Sequence, residues 1–116
     1  EREKLIAEEV LITTPTPAAE ATLISQGREL FLKQGCAACH TVAGISDSIV
    51  GPELTDIGSL AIGRKLDTSA EEYLRESLLN PGAFVVSGFQ PIMLSVEGRL
   101  GPEDLQALMD FLLSLK

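Results

Sequence analysis

Cys36-Ala37-Ala38-Cys39-His40 is the stretch on which the reading of this chain turns, because it holds both cysteines and the single histidine of the 116 residues. Two thiols at this spacing can each add to a vinyl group of haem, and the imidazole that follows is then held against the iron from one side. This is the spacing of c-type haem attachment, so the stretch predicts one covalently bound haem c with His40 as an iron ligand. A redox dithiol or disulfide is the competing reading of the cysteines, and a zinc site is another. The dithiol normally accompanies a βαβ pattern, which the chain does not show. Zinc needs four ligands where Cys36, Cys39 and His40 supply three.

Working outward, the composition suits a haem protein. The chain is long enough for one domain and its single core. Hydrophobic residues make up 45% of it but aromatic residues only 4%, with no Trp, so a porphyrin would supply the large flat apolar body that the side chains lack. Nine Lys and Arg against seventeen Asp and Glu give a net charge of -8. That balance argues against nucleic acid and an anionic membrane surface as partners and favours partners, here redox donor and acceptor proteins if the haem reading holds, with a basic or neutral docking surface; the alternative is that the acidic surface simply keeps the protein soluble.

Upstream of the motif, residues 13–19 carry prolines at 15 and 17, a spacing suited to an extended linker. Residues 1–20 are therefore expected to be a tether or a partner-docking segment, and residues 21–116 the domain. Leu23, Ile24, Gly27, Leu30 and Phe31 recur at helical intervals over residues 20–34, and Gly35 ends that helix. Downstream, residues 44–56 read as loop. Ser69-Ala70-Glu71-Glu72 has the form of a capping box, and Tyr73, Leu74, Ser77 and Leu78 give the helix after it a buried stripe. Asn80-Pro81-Gly82 stops it, and residues 83–98, broken by Gly88, Pro91 and Gly98, form an irregular loop. Pro102 is placed as the first residue of a last helix, with Glu103 and Asp104 at its positive end and Leu105, Leu108, Met109, Leu112 and Leu115 on its apolar face. The predicted fold class is all-α.

The second axial position decides what the haem could do. With no second histidine, the candidates are Met93, Met109, a Lys or Tyr, or an empty site. Met93 lies in the irregular segment Phe89-Gln90-Pro91-Ile92-Met93-Leu94, where a loop can carry a thioether to the far face of a porphyrin. Met109 sits in an apolar helical stripe, where methionine usually fills a core. Ala37, Ala38, Val42 and residues 85–89 are expected around the haem edge, as docking surface or as pocket lining.

Over residues 21–115 the sequence resembles class I monohaem cytochromes c. The resemblance implies N- and C-terminal helices packed together through Gly27 and Phe31, around a covalently bound haem. Gly51-Pro52-Glu53-Leu54 is similar to the family's G-P-x-L element, which implies that the Pro52 carbonyl orients His40. Residues 72–93 resemble the cytochrome c domain fused to subunit II of some haem-copper oxidases, although Leu94 stands where the familiar ligand loop has a proline. In such domains a basic residue near Arg64 often lies beside a haem propionate; an ordinary surface arginine is the alternative.

His40 and Met93 together would close the iron to oxygen, peroxide or substrate, which implies electron transfer in a respiratory or photosynthetic chain rather than catalysis. The leading segment suggests attachment to a membrane complex. Covalent haem attachment normally takes place outside the cytoplasm, so a periplasmic or equivalent compartment is expected, with a signal, lipid anchor or membrane helix able to precede Glu1. Two other functions use the same residues: a haem enzyme or gas sensor with a labile sixth ligand, and a structural haem subunit.

Overall fold

Thr16 opens the first helix of the computed structural model, which describes residues 16–116. Its hydroxyl oxygen accepts from the Ala19 N–H at 3.1 Å, and Pro17 occupies the first helical position, where its missing N–H costs nothing. Helix α1 then runs Pro17–Lys33. Residues 17–20, expected to end the leading segment, are thus its first turn. The Thr-Pro pair that reads as a linker also satisfies a helix start, and the structure takes the second option for Thr16-Pro17. The rest of the expected tether, residues 1–15, lies outside the described residues.

Gly35, with φ of 82°, turns the chain out of α1 into a 3-10 turn at Cys36–Ala38; a Cβ disfavours that left-handed conformation. A short helix α2 at Ile57–Leu60 and a 3-10 turn at Ala61–Gly63 follow, neither of which the sequence pattern indicates. Helix α3 spans Ala70–Leu79 and begins in the expected capping box, with Glu72 N–H to Ser69 Oγ and Ser69 N–H to Glu72 Oε1 both at 3.0 Å. A 3-10 turn at Pro81–Ala83 leads into the long loop, and helix α4 spans Pro102–Leu113 with Pro102 first. Among the described residues these are the helices, and the β pairing amounts to two isolated bridges. None of the helices is long and apolar enough to cross a membrane.

Helices α1 and α4 make the largest helix–helix contact. Gly27 permits it: a Cβ at that position would fall 2.6 Å from the Phe111 Cβ and closer still to the Ala107 carbonyl oxygen. One turn on, the Phe31 and Phe111 rings meet at 5.6 Å between centroids, tilted by 55°, within the favourable range for an aromatic pair. Phe31, Ile57, Leu108 and Met109 are fully buried, each such side chain contributing about 1.5–3 kcal/mol of transfer free energy. Helix α2 closes the end of this pair, where the Gly58 N–H donates to the Leu115 carbonyl at 2.6 Å.

Candidate functional site: an apolar cleft carrying the motif

Because the turn after α1 is tight, the motif residues share one wall. The Cys39 and His40 N–H groups both donate to the Cys36 carbonyl, at 3.1 and 3.0 Å, and Cys36, Cys39 and His40 all line a cleft of about 320 Å³. Both cysteines are free and half-buried. Burial pushes the Cys36 thiol above its ordinary value, against the smaller opposing effects of a backbone hydrogen bond and the Arg99 charge. A raised thiol is the reverse of what a redox dithiol needs. Among the described residues no cluster of three His, Cys, Asp or Glu side chains is arranged to hold a metal ion.

His40 faces the cleft in a defined tautomer. Its Nδ1 lies 2.6 Å from the Pro52 carbonyl oxygen, and since a carbonyl can only accept, Nδ1 carries the proton and Nε2 keeps its lone pair. Burial lowers the His40 pKa from its ordinary value while the Pro52 bond opposes that effect, so the imidazole is neutral and able to ligate. The strand of chain bearing Pro52 is drawn close by the Gly51 N–H, which donates to the Cys39 carbonyl at 2.6 Å. Only a glycine fits there, because a Cβ at Gly51 would stand 2.6 Å from the His40 Cε1.

The rest of the lining comes largely from α3 and the long loop. Tyr73, Leu74 and Leu78 present the buried face of α3, and the Tyr73 and Phe84 rings meet edge-on at 5.8 Å. Behind Phe84 lies Lys65, 5.9 Å from its centroid and paired with Glu76 at 2.6 Å. Two hydrogen bonds pin the loop to the end of α3, Ser95 Oγ to the Leu79 carbonyl at 2.7 Å and Val96 N–H to the Leu78 carbonyl at 2.9 Å. Just before those anchors, Met93 lines the cleft. Met109 is fully buried among the core residues and does not line it.

Arg64 lines the cleft and also a shallower pocket shared with Glu53 and Asp56. Val85, Val86 and Phe89 line the cleft as expected, but Ala37, Ala38 and Val42 do not. Val42 instead turns into the core, 2% exposed; nearness in sequence to the motif did not fix the side on which it falls. Leu74, Phe84 and Arg99 are lining residues that sequence reasoning missed. Leu74 was readable as buried but not as cleft wall, and Arg99 carried no motif.

An apolar cleft lined by two thiols, a neutral imidazole and a thioether has the donors for haem. A family model of cytochrome c matches residues 24–116. The chain belongs to the cytochrome c family. Its cofactor is haem c and its chemistry is haem-based electron transfer. The chain is also 28% identical over 95 residues to cytochrome c oxidase subunit 2 of Alkalihalophilus pseudofirmus, a match covering 82% of this cytochrome c but 26% of that relative. The chain thus spans about a quarter of the relative's length.

Proposed function

We propose that this cytochrome c is a single-haem electron carrier in which Cys36 and Cys39 bind the haem and His40 and Met93 ligate its iron from opposite faces. The observation that supports this most directly is that His40 and Met93 line one cleft while Met109 is sealed in the core. Haem supplies a one-electron ferric/ferrous couple, and thioether ligation in an apolar shell favours the ferrous state. The Pro52 carbonyl fixes the His40 tautomer and raises its basicity. The Ser95 and Val96 anchors limit the movement of Met93, so ligation can persist in both oxidation states. Arg64 is assigned to a haem propionate, where a guanidinium can take a carboxylate.

The likeness to an oxidase subunit supports a place in a respiratory chain, as part of a membrane complex or tethered to one. Covalent attachment supports an extracytoplasmic location; haem c should form when the chain is exported and not when it is kept in the cytoplasm.

A visible spectrum of the oxidised and reduced holoprotein tests the ligand pair. Low-spin bands with the weak long-wavelength methionine-to-ferric-iron band, lost in Met93→Ala, are expected. A high-spin ferrous form that binds carbon monoxide rapidly would replace the carrier with a haem enzyme or gas sensor.

A further inference from the structure

Lys65 stands outside the cleft and yet touches its wall. The residue lies between the 3-10 turn at Ala61–Gly63 and α3, pairs with Glu76 of α3 at 2.6 Å, and places its Nζ 5.9 Å from the centroid of the Phe84 ring. Phe84 lines the cleft at the start of the long loop and meets Tyr73 of α3 edge-on, whereas neither Lys65 nor Glu76 lines it. One cation thus joins three segments of chain from behind the wall.

The contact matters because of how the loop that carries Met93 is held. Among the described residues, residues 84–94 make hydrogen bonds only with one another, from the Phe89 N–H to the Val86 carbonyl at 3.1 Å and from the Ile92 N–H to the Gln90 carbonyl at 2.9 Å. After Met93 the loop is tied to α3 through Ser95 and Val96. Before it, the polar anchor is missing and the ring contacts at Phe84 take its place. An exposed ion pair adds little by itself. Here, however, Glu76 fixes the ammonium over the ring, so the attraction of cation for π face is gained with less loss of side-chain freedom.

We propose that Lys65 is a positioning residue for the sixth iron ligand: held by Glu76, it clamps Phe84 to α3 and so keeps the front of the loop, and Met93 with it, in place. This rests on the reading of Met93 as a ligand.

The test mixes ferrous holoprotein with saturating carbon monoxide and follows the visible spectrum. The thioether leaves the iron and carbon monoxide takes its place, with no electron or proton moved, so the limiting rate reads the release of Met93. Lys65→Met keeps an alkyl stem without the charge and should raise that rate about three- to tenfold, the combined scale of a cation–π contact and an exposed ion pair. Lys65→Arg keeps both interactions and should stay within about twofold of wild type. Arg75→Met breaks a second ion pair of α3, to Glu71 at 3.4 Å, neither of whose side chains lines the cleft, and should likewise stay within about twofold. In a Phe84→Leu background, which has no ring to hold, Lys65→Met should add less than about twofold.

No rise for Lys65→Met, an equal rise for Arg75→Met or Lys65→Arg, or an undiminished rise in the Phe84→Leu background would overturn the proposal while leaving Met93 as the ligand. A wild-type protein that binds carbon monoxide as fast as Met93→Ala does would instead overturn the ligand reading.

Discussion

The Pro52 carbonyl receives the Nδ1 proton of His40 at 2.6 Å, across twelve residues of chain. This bond decides which imidazole nitrogen faces the cleft. It depends on Gly51, because a Cβ there would stand 2.6 Å from Cε1 and 2.9 Å from Nδ1 of the ring. Gly51→Ala should displace the imidazole and lengthen that bond. The expected cost is about 1–3 kcal/mol in denaturant unfolding of the holoprotein, as for other overpacked sites, together with a higher reduction potential, because a less basic His40 stabilises ferric iron less. Wild-type values for both would show that the wall yields without disturbing His40.

Gly27 plays the corresponding part in the scaffold, where α1 approaches the backbone of α4 at Ala107. Gly27→Ala gains helix propensity of up to about 1 kcal/mol but must push the two helices apart, and the backbone atoms it meets cannot rotate away as a side chain could. A net destabilisation of about 1–3 kcal/mol is expected. Gly63→Ala, at a position with no neighbour within 4 Å, should change stability by less than about 0.5 kcal/mol. Chemical denaturation of the three proteins under one buffer makes the comparison.

These two glycines also mark how far the sequence could be read. Local rules carried the capping box at Ser69, the start of α4 at Pro102 and the motif turn after Gly35, since each is a contact between near neighbours in sequence. Helix α2 escaped because four residues cannot display a helical period, and it is stabilised instead by Gly58 docking on the end of α4. Thr16-Pro17 satisfied a linker and a helix start equally well, and the cap to Ala19 selected the second. Arg99 has no local signature at all; its place in the cleft lining depends on how the loop after Met93 is folded back onto α3.

The capping box makes a prediction about acid. Hydrogen bonds from the Ser69 backbone and side chain hold the Glu72 pKa below its ordinary 4.5, against a smaller effect of burial. A carboxyl whose folded pKa is depressed contributes stability that is present above the unfolded pKa and lost as pH falls through the folded one. Stability should therefore decline below about pH 4.5 partly through Glu72. Glu72→Gln keeps an acceptor for the Ser69 N–H but cannot titrate, so its melting temperature should fall less steeply over that range. Parallel curves for the two proteins would remove Glu72 from the acid transition.

The two methionines separate ligation from packing. Met109 is fully buried in α4, and truncating it to Ala should cost about 2–5 kcal/mol through lost contacts and the cavity left behind, with the spectrum of the folded holoprotein unchanged. Met93 is 39% exposed, so Met93→Ala removes little buried area and should cost far less through packing. Its effect should fall on the iron: the methionine band disappears, the reduction potential drops because a thioether no longer favours ferrous iron, and the reduced protein binds carbon monoxide. The opposite pairing, in which Met109→Ala alters the spectrum and Met93→Ala does not, would require α4 to open toward the cleft and would displace Met93 as the ligand.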